Sequence, residues 1–373
     1  MPWNRMSIME QRREFVALAR AEGANISELS RRHGISRDTA YRWLERKDYA
    51  DRSRRPQKSP SRTPDVMEQA VLAVRDEHPA WGARKIRHVL LNQGLAPPAA
   101  STVQAILDRH GRIDPGGSGG HAREPFEKEA PNLLWQMDFK GQFQTADGHW
   151  CWPLTVVDDH SRFGLCLKAC ARQDTGTVQT ALEATFRDYG LPLAFYVDNG
   201  APWGGGVPGH YTPLRVWLLK LGVDVIHARP YTPQSRGKNE RFHRTLKAEV
   251  LAGRVLADLA HAQKAFDRWR PIYNHERPHQ SLDMKPPINR YTPSPRSMPD
   301  KLPDILYDST DTVRKVPQDQ PRIAFKGRLW RVPKAFRGEI LAIRPSTTDG
   351  LYQVCFGART IASIDLNQKS CME

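Results

Sequence analysis

The chain has 373 residues, which is enough for about two to three domains and for a sizeable buried core. Its hydrophobic content of 39%, with 10 Trp and 12 Phe, argues against a disordered chain. The net charge of +15 predicts a polyanionic partner, most simply nucleic acid. A membrane surface is the lesser alternative, because no long apolar run occurs.

Cysteine usage and the N-terminus indicate the compartment. The five cysteines are odd in number and contain no CxxC pair, so neither a disulfide framework nor a zinc site is expected. The first residues, MPWNRMSIMEQRREF, lack the apolar core of a signal peptide. Together these features predict a reduced, cytoplasmic location.

Residues 8–48 have the pattern of a small helical module. Two helices precede a tight turn at Gly34, and Ser36 then caps a third helix, RDTAYRWLER, with Ala40 and Trp43 on its inward stripe. Helix, tight turn and helix is the helix-turn-helix pattern. The arginines of the third helix favour DNA binding over the alternative of a plain three-helix bundle.

A basic linker and a second helical module follow. Residues 52–62, RSRRPQKSPSR, hold five basic and no acidic residues, which predicts a flexible linker that lies along phosphates. Residues 65–111 repeat the helical pattern, with Gly94 and Gly111 closing its second and third helices. They predict a second helix-turn-helix or winged-helix unit. The next stretch, DPGGSGG, has the composition of a linker.

From about Asn132 the hydrophobic period changes from helical to alternating. LLWQMDFKG alternates, which places Asp138 on the polar face of a strand. A hairpin follows, in which Pro153 indicates an edge or strand-start position, and then a helix from about Thr175 to Tyr189. The strands LAFYVDNG and GVDVIHA and two more helices come next. Antiparallel strands followed by strands that alternate with helices predict a mixed sheet flanked by helices.

The C-terminal part has short strand-like pieces separated by turn residues: TVRKV, RIAFKGRLWRVP, GEILAIRP and LYQVCF. They predict a small β-barrel domain of about 55–60 residues, near the lower size for independent folding. The fold class expected for the whole chain is therefore multidomain, with all-α helix-turn-helix units, an α/β core and a small C-terminal β-barrel.

Three carboxylates share the core region. Asp138 is in mid-strand, where Asp is disfavoured, Asp198 ends a later strand, and Glu240 opens a helix inside a cationic cluster. Two of them have an ordinary alternative explanation. Asp198 can merely start a turn, and Glu240 can pair with Arg244 on a solvated helix face. A mixed sheet can nevertheless bring a first strand, a later strand end and a helix start to one edge.

Such a cluster suits metal-assisted phosphodiester chemistry. Two Mg²⁺ ions about 3.5–4 Å apart can stabilise the attacking and the leaving oxygen of a phosphodiester exchange. Mg²⁺ prefers hard oxygen ligands, whereas three carboxylates at close range without metal would repel one another. The sequence therefore predicts a site for divalent cations.

The helix that contains Glu240 has two different faces. Because a helix turns about 100° per residue, Glu240, His243, Arg244 and Lys247 share one stripe. The apolar stripe available for burial comprises Phe242, Leu246 and Val250. The prediction is that the acid holds metal while the basic residues above it meet the DNA backbone.

At this point the residues resemble a known family. WQMDFKG, YVDNGAPW and PQSRGKNERFHRTLK are similar, in this order, to the three acidic signatures of bacterial insertion-sequence transposases with a retroviral-integrase-type DDE catalytic core. NHERPHQSLDMKPP resembles the segment that follows the catalytic helix in that family. The resemblance covers about residues 132–290 closely, and the flanking regions fit the family more loosely.

The resemblance implies a ribonuclease H-like core with Asp138, Asp198 and Glu240 as catalytic residues and metal ligands. The predicted cofactor is Mg²⁺, with two ions per active site, for which Mn²⁺ is expected to substitute. The resemblance also implies a contact between Lys247 and the element's end. It also implies a homo-oligomer that acts on paired DNA ends and target DNA in the bacterial cytoplasm, at the nucleoid, without a membrane.

Two departures from the family pattern stand out. The interval from Asp198 to Glu240 is longer than usual, with PWGGGVPGH as the expected insertion. The retroviral His/Cys zinc module is absent from the sequence, and the helix-turn-helix units take its place.

The expected DNA contacts come from the helical modules, the linker and the catalytic helix. They are Arg37, Tyr41, Arg42, Arg52, Arg54, Arg55, Arg84, Lys85, Arg236, Lys238, His243, Arg244 and Lys247. The expected domains are a helix-turn-helix domain at 1–50, a basic linker at 51–64, a second helix-turn-helix or winged-helix domain at 65–111, a linker at 112–131, the integrase-type core at 132–290, a linker at 291–310 and the small β-barrel at 311–373.

The predicted function is a DNA transposase that cleaves the ends of a mobile element and joins them to target DNA by metal-dependent phosphodiester transfer. The alternative is a catalytically silent DNA-binding regulator with the same fold. A structure-specific nuclease would share the metal chemistry but would not need two N-terminal DNA readers. All three acids are intact, which favours the transposase.

Overall fold

The computed structural model describes residues 6–51, 62–113, 127–204, 210–228 and 237–367. The chain divides into two compact units, Met1–Thr63 and Pro64–Glu373. Four of the predicted DNA contacts lie outside the described residues: Arg52, Arg54, Arg55 and Arg236. Within the described ranges, none of the helices is both long and apolar enough to cross a membrane.

The first unit is a three-helix module with α1 at Ile8–Ala19, α2 at Ile26–Arg32 and α3 at Arg37–Glu45. The Ser36 hydroxyl accepts a hydrogen bond from the Thr39 N–H at 3.1 Å, so the predicted cap of the third helix is confirmed. Ala40 is fully buried and Trp43 packs against the same small core, as the inward stripe predicts.

The second unit begins with another helical module. Its helices are α4 at Asp65–Glu77, α5 at Ala83–Asn92 and α6 at Ala100–Arg109. Their apolar faces form one core around Val71, Ile86 and Val103. Ile272, much later in the chain, packs against the same core. This helical module therefore rests on the part of the chain around Ile272.

A mixed six-stranded sheet forms the centre of the second unit. Its strands are β1 Trp135–Phe139, β2 Phe143–Gln144, β3 Trp150–Asp158, β4 Gly164–Cys170, β5 Ala194–Val197 and β6 Asp224–His227. The order is β2-β3-β1-β5-β6, with β4 paired to the other side of β3. β3 runs antiparallel to β1 and β4, whereas β1, β5 and β6 are parallel. The prediction of a mixed sheet is confirmed.

Pro153 does not mark a strand edge or a strand start, so that prediction is wrong. It lies inside β3, a strand that pairs with β1 on one side and with β4 on the other. Its carbonyl accepts a hydrogen bond from Lys140, the residue that follows β1. In an antiparallel pair the N–H and C=O of one residue point to the same side. The missing N–H of Pro153 therefore faces the place where β1 has already ended.

Helices cover both faces of the sheet. They are α7 Thr175–Tyr189, α8 Pro213–Lys220, α9 Gly237–Leu246 and α10 Leu259–Pro271. On one face α7 and α8 pack over Trp135 and Met137. On the other face α9 and α10 bury Phe242, Leu246 and Phe266. Short helical turns follow: π-helical Lys247–Leu251 and Ile272–Glu276, and 3-10 turns Gln280–Leu282 and Pro287–Arg290.

The outer side of β4 is covered by polar side chains of α10. The Gln263 side chain accepts from the Ala169 N–H at 2.9 Å and donates to the Leu167 carbonyl at 3.2 Å. The Arg270 guanidinium donates to the Leu165 carbonyl. These bonds satisfy backbone groups that a sheet edge would otherwise leave to solvent.

The C-terminal part contains two sheets. Strands β7 Thr312–Lys315, β10 Ile340–Pro345, β11 Leu351–Phe356 and β12 Arg359–Asp365 form a sheet in the order β12-β11-β10-β7. Strands β8 Arg322–Phe325 and β9 Arg328–Arg331 form a separate hairpin, and a 3-10 turn spans Lys334–Phe336. Both sheets are open within the described residues, so the prediction of a closed barrel is not confirmed.

Candidate active site

Asp138 lies near the end of β1, in the middle of the sheet. β1 pairs with β3 in a register that places Asp138 opposite Thr155. Side chains alternate along a strand, so the burial of Trp135 and Met137 on the α7 side directs Asp138 to the opposite face. That face is the one α9 covers, and Asp138 is half-buried there.

Asp198 follows the last residue of β5, the strand that lies parallel to β1. Gln136 is opposite Tyr196, and Asp138 and Asp198 are each two residues further on. Residues opposite each other in a ladder share a face, and neighbouring strands are about 4.8 Å apart. The two aspartates therefore occupy the same end and the same face of the sheet.

Two hydrogen bonds hold Asp198 in place, one at its carboxylate and one at its main-chain carbonyl. The Gly200 N–H donates to the Asp198 carboxylate at 2.9 Å, and His227 Nδ1 donates to the Asp198 carbonyl at 3.0 Å. A Cβ on Gly200 would meet the same carboxylate at 3.2 Å. Glycine at this position therefore lets the turn fold tightly over the acid.

Glu240 lies in the first turn of α9 and is exposed. Residues on either side of it fasten this helix to the sheet. Lys238 forms an ion pair with the fully buried Asp159, and His243 Nε2 lies 2.7 Å from the Thr155 hydroxyl. Since Thr155 is opposite Asp138, these contacts place the helix turn that holds Glu240 over the β1 end of the sheet.

The donor chemistry of these three acids fits Mg²⁺, which prefers carboxylate oxygens and binds through one or two carboxylates plus substrate phosphates. The elements that hold them also meet at one end of the sheet. In the parts of the chain that the structure describes, however, no three His, Cys, Asp or Glu side chains lie close enough together to hold a metal ion.

Positive charge surrounds this end of the sheet. Burial lowers the pKa of Lys140, and the nearby Lys247 ammonium lowers it further. Lys247 itself is exposed, as is Arg244. Cationic side chains attract the negatively charged phosphates of nucleic acid, so this part of the surface favours contact with a phosphate backbone.

A buried ion pair holds the turn that follows α9. Glu249, in the π-helical turn after α9, accepts from Arg277 Nε at 2.8 Å and from Trp269 Nε1 at 2.8 Å. Both charged side chains are nearly buried, at 9% and 7% exposure. Arg277 also donates to the Thr245 hydroxyl at 3.5 Å. Arg277 lies in NHERPHQSLDMKPP. The sequence alone did not predict a role for Glu249 or for Arg277.

The predicted DNA contacts fall into two groups in the structure. Six side chains are exposed: Arg37, Tyr41, Arg42, Arg84, Arg244 and Lys247. Among them, Arg42 forms a solvent-exposed ion pair with Asp38 at 3.2 Å. The other three described ones are only partly exposed: Lys85, Lys238 and His243. Burial and the nearby Arg277 lower the pKa of Lys85 to about 7, and burial lowers the pKa of Lys238 to about 8.

Family models match five parts of the chain. Residues 128–233 and 221–287 match two models described as integrase core domains. Residues 311–372 match the C-terminal domain of IS481 family transposases. Residues 9–50 and 39–107 match two homeodomain-like models. The predictions of helix-turn-helix DNA-binding domains and of a ribonuclease H-like integrase core are confirmed.

Insertion-element proteins are among the similar sequences. A 31.7 kDa protein of insertion element IS407 from Burkholderia multivorans is 28% identical over 158 residues, which is 42% of this chain and 54% of that protein. A 39.2 kDa protein of insertion element IS476 from Xanthomonas euvesicatoria is 28% identical over 170 residues, which is 45% of this chain and 46% of that protein. The matches thus span about half the length of these curated relatives.

Solved structures give weaker matches. A simian T-cell lymphotropic virus intasome chain aligns with 78% of this chain and 99% of its own length, at 16% identity and a TM-score of 0.37. The HTLV-2 integrase catalytic core in complex with magnesium aligns with 44% of this chain and 99% of its own length, at 13% identity and a TM-score of 0.34. TM-scores this low do not establish a shared fold. The assignment of an integrase core therefore depends on the family models.

Proposed function

Because the chain belongs to the insertion-sequence transposases with an integrase-type core, we propose that it cleaves the ends of a mobile element and joins them to target DNA. One observation carries this proposal. Asp138 and Asp198 lie at the same end of two neighbouring parallel strands, on the face covered by the helix that holds Glu240. This arrangement is suited to a metal-dependent phosphodiester transfer.

Asp138, Asp198 and Glu240 are the residues proposed to hold the metal. Two Mg²⁺ ions, with Mn²⁺ as a substitute, would stabilise charge on the attacking and leaving oxygens. The chain's own contribution is to orient these ligands. Gly200 and His227 hold Asp198, and α9 is fastened to the sheet beside Asp138.

DNA is the proposed partner, both as element ends and as target. The exposed arginines of α3, Arg37 and Arg42, are proposed to read or position the DNA, because the last helix of a helix-turn-helix enters the major groove. The seven-segment domain division and action as a homo-oligomer on paired ends, at the bacterial nucleoid, belong to the same proposal. The barrel form of the last segment is not part of it, because both C-terminal sheets are open within the described part of the chain.

The proposal can be tested with the DNA that flanks the gene. Inverted repeats near the gene borders would supply the end substrate, and the full chain would be incubated with it and with target DNA. We expect strand cleavage and joining with Mg²⁺ or Mn²⁺. Ca²⁺ should bind but support little chemistry, because it is larger and looser in coordination. Specific binding to the ends without joining in Mg²⁺ or Mn²⁺ would instead support the silent regulator.

Lys247 is expected to contact the DNA strand next to the metal site. Lys247→Ala should weaken DNA engagement and reduce the slope of log affinity against log salt by about one unit, because one phosphate contact is lost. Lys247→Glu should reduce strand joining further, since it adds repulsion. Stability should change by no more than about 0.5 kcal/mol, because the side chain is exposed.

The measurements are strand joining and DNA affinity across a salt series. Lys264→Glu is the matched control, because Lys264 is an exposed lysine on α10 and the charge change is identical. A Lys247→Glu variant with wild-type joining and a wild-type salt slope would show that this helix face does not follow the DNA.

A further inference from the structure

A short chain of hydrogen bonds connects the catalytic helix to the strand of the first aspartate. The Thr155 hydroxyl donates to the Asp138 carbonyl at 3.0 Å, and His243 Nε2 lies 2.7 Å from the same hydroxyl oxygen. A hydroxyl has one proton, so a Thr155 that donates to Asp138 must accept from His243. His243 therefore carries its proton on Nε2, and the donor direction runs from His243 through Thr155 to Asp138.

These hydrogen bonds connect the two elements that hold Asp138 and Glu240. Thr155 is fully buried opposite Asp138, and burial lowers the pKa of His243 to about 4. His243 is three residues after Glu240, so the two side chains leave the same face of α9 on successive turns. The hydrogen bonds thus run from the backbone of one proposed metal ligand to the helix turn above the other.

We propose that His243 and Thr155 are positioning residues that set the separation between Asp138 and Glu240 and thereby favour Mg²⁺ over larger divalent cations. This inference rests on the proposed function, in which both acids hold metal. It replaces the sequence-based prediction that His243 contacts DNA. Neither His243 nor Thr155 has to touch the ion or the DNA for this role.

The physical reason for selectivity is the different tolerance of the two ions. Mg²⁺ requires near-ideal octahedral geometry at about 2.0–2.1 Å, whereas Ca²⁺ accepts flexible coordination at about 2.3–2.6 Å. If α9 could move relative to β1, the distance between the carboxylates of Asp138 and Glu240 would vary. Such movement penalises the ion with the stricter geometry more than the ion with the looser one.

Thr155→Val tests the inference with the least change of shape, because it removes the hydroxyl and keeps the branched side chain. Thr155→Ser keeps the hydroxyl. Apparent affinities for Mg²⁺ and for Ca²⁺ would be measured with the full chain, without DNA, from the rise in melting temperature across a titration of each salt. The melting temperature without metal reports folding, and the ratio of joining rates in Mg²⁺ and Mn²⁺ is a second readout.

We expect Thr155→Val to lose about 10-fold in Mg²⁺ affinity, the lower end of the effect of removing an outer partner of a ligand, because Thr155 bonds to the main-chain carbonyl of Asp138 and not to its carboxylate. Its Ca²⁺ affinity should fall less, and Thr155→Ser should stay close to the wild type. A folded Thr155→Val with unchanged Mg²⁺ affinity, or with equal losses for both ions, would overturn the inference.

A second pair of variants covers the case in which Thr155→Val does not fold. His243→Gln keeps an N–H donor, whereas His243→Leu has none. The first should retain more Mg²⁺ affinity than the second, and equal affinities would overturn the inference.

Asp138→Asn separates the two proposals. If Asp138→Asn keeps full Mg²⁺ affinity, the proposed metal site is wrong; if it loses Mg²⁺ while Thr155→Val does not, only the positioning role is wrong.

Discussion

Replacing any one of Asp138, Asp198 and Glu240 by its amide is expected to abolish strand cleavage and joining while binding to element-end DNA survives. The amide keeps the shape of the side chain but removes the charge that attracts a divalent cation. Metal stabilisation of a phosphoryl oxygen is worth several kcal/mol, and about 1.4 kcal/mol is a tenfold change in rate. The loss should therefore be at least about 10²–10³-fold. End binding should persist because it depends on the N-terminal helical modules.

The assays are strand cleavage, strand joining and end binding for each variant in Mg²⁺ and Mn²⁺. Asp300→Asn is the matched control, because it makes the same change at an exposed aspartate between the core and the C-terminal sheets. A variant that retains near-normal strand transfer would remove that residue from the site. Loss of DNA binding together with catalysis would indicate misfolding instead.

Separating Glu249 from Arg277 should destabilise the core strongly. Arg277→Met leaves the Glu249 carboxylate buried without its cation, and breaking a buried pair in this way costs about 3–5 kcal/mol. The effect should appear first in α9 and α10, because Glu249 joins the turn after α9 to Trp269 of α10. Hydrogen exchange of peptides from these two helices measures the local free energy of opening.

Two further variants make this result interpretable. Glu249→Leu combined with Arg277→Met should cost less than the sum of the single changes, because no unpaired buried charge remains. Arg112→Met is the surface control, since Arg112 and Asp76 pair at 2.9 Å with about half of each side chain exposed. It should change stability by no more than about 1 kcal/mol. Equal effects of Arg277→Met and Arg112→Met would contradict the structural role of the buried pair.

Local patterns predicted much of the core correctly. Helix α7 has the predicted bounds because both of its ends are specified nearby: the Asp174 side chain accepts from the Thr177 N–H, and Gly190 has a φ of 75°. Alternation along β1 predicted correctly which face holds Asp138. These features depend on residues a few positions apart, so a single sequence contains the information.

Contacts between distant segments could not be predicted in the same way. Helix periodicity puts His243 on the stripe expected to meet DNA, whereas in the structure its Nε2 contacts Thr155, which is 88 residues earlier in the chain. Lys238 was likewise assigned to DNA, although its partner Asp159 lies 79 residues away. The π-helical turn at Lys247–Leu251 also ends the regular α-helix earlier than the apolar period suggested. Burial of such groups depends on tertiary packing, which helix periodicity does not encode.

The polar side chains along β4 restrict how copies of this protein can associate. A strand from another chain can extend a sheet only where backbone N–H and C=O groups are available to it. Along β4, the carbonyls of Leu165 and Leu167 and the N–H of Ala169 already bond to Arg270 and Gln263. Strand addition here would first have to displace α10. Two protomers meeting at this side would therefore have to join through helix surfaces rather than as one continuous sheet.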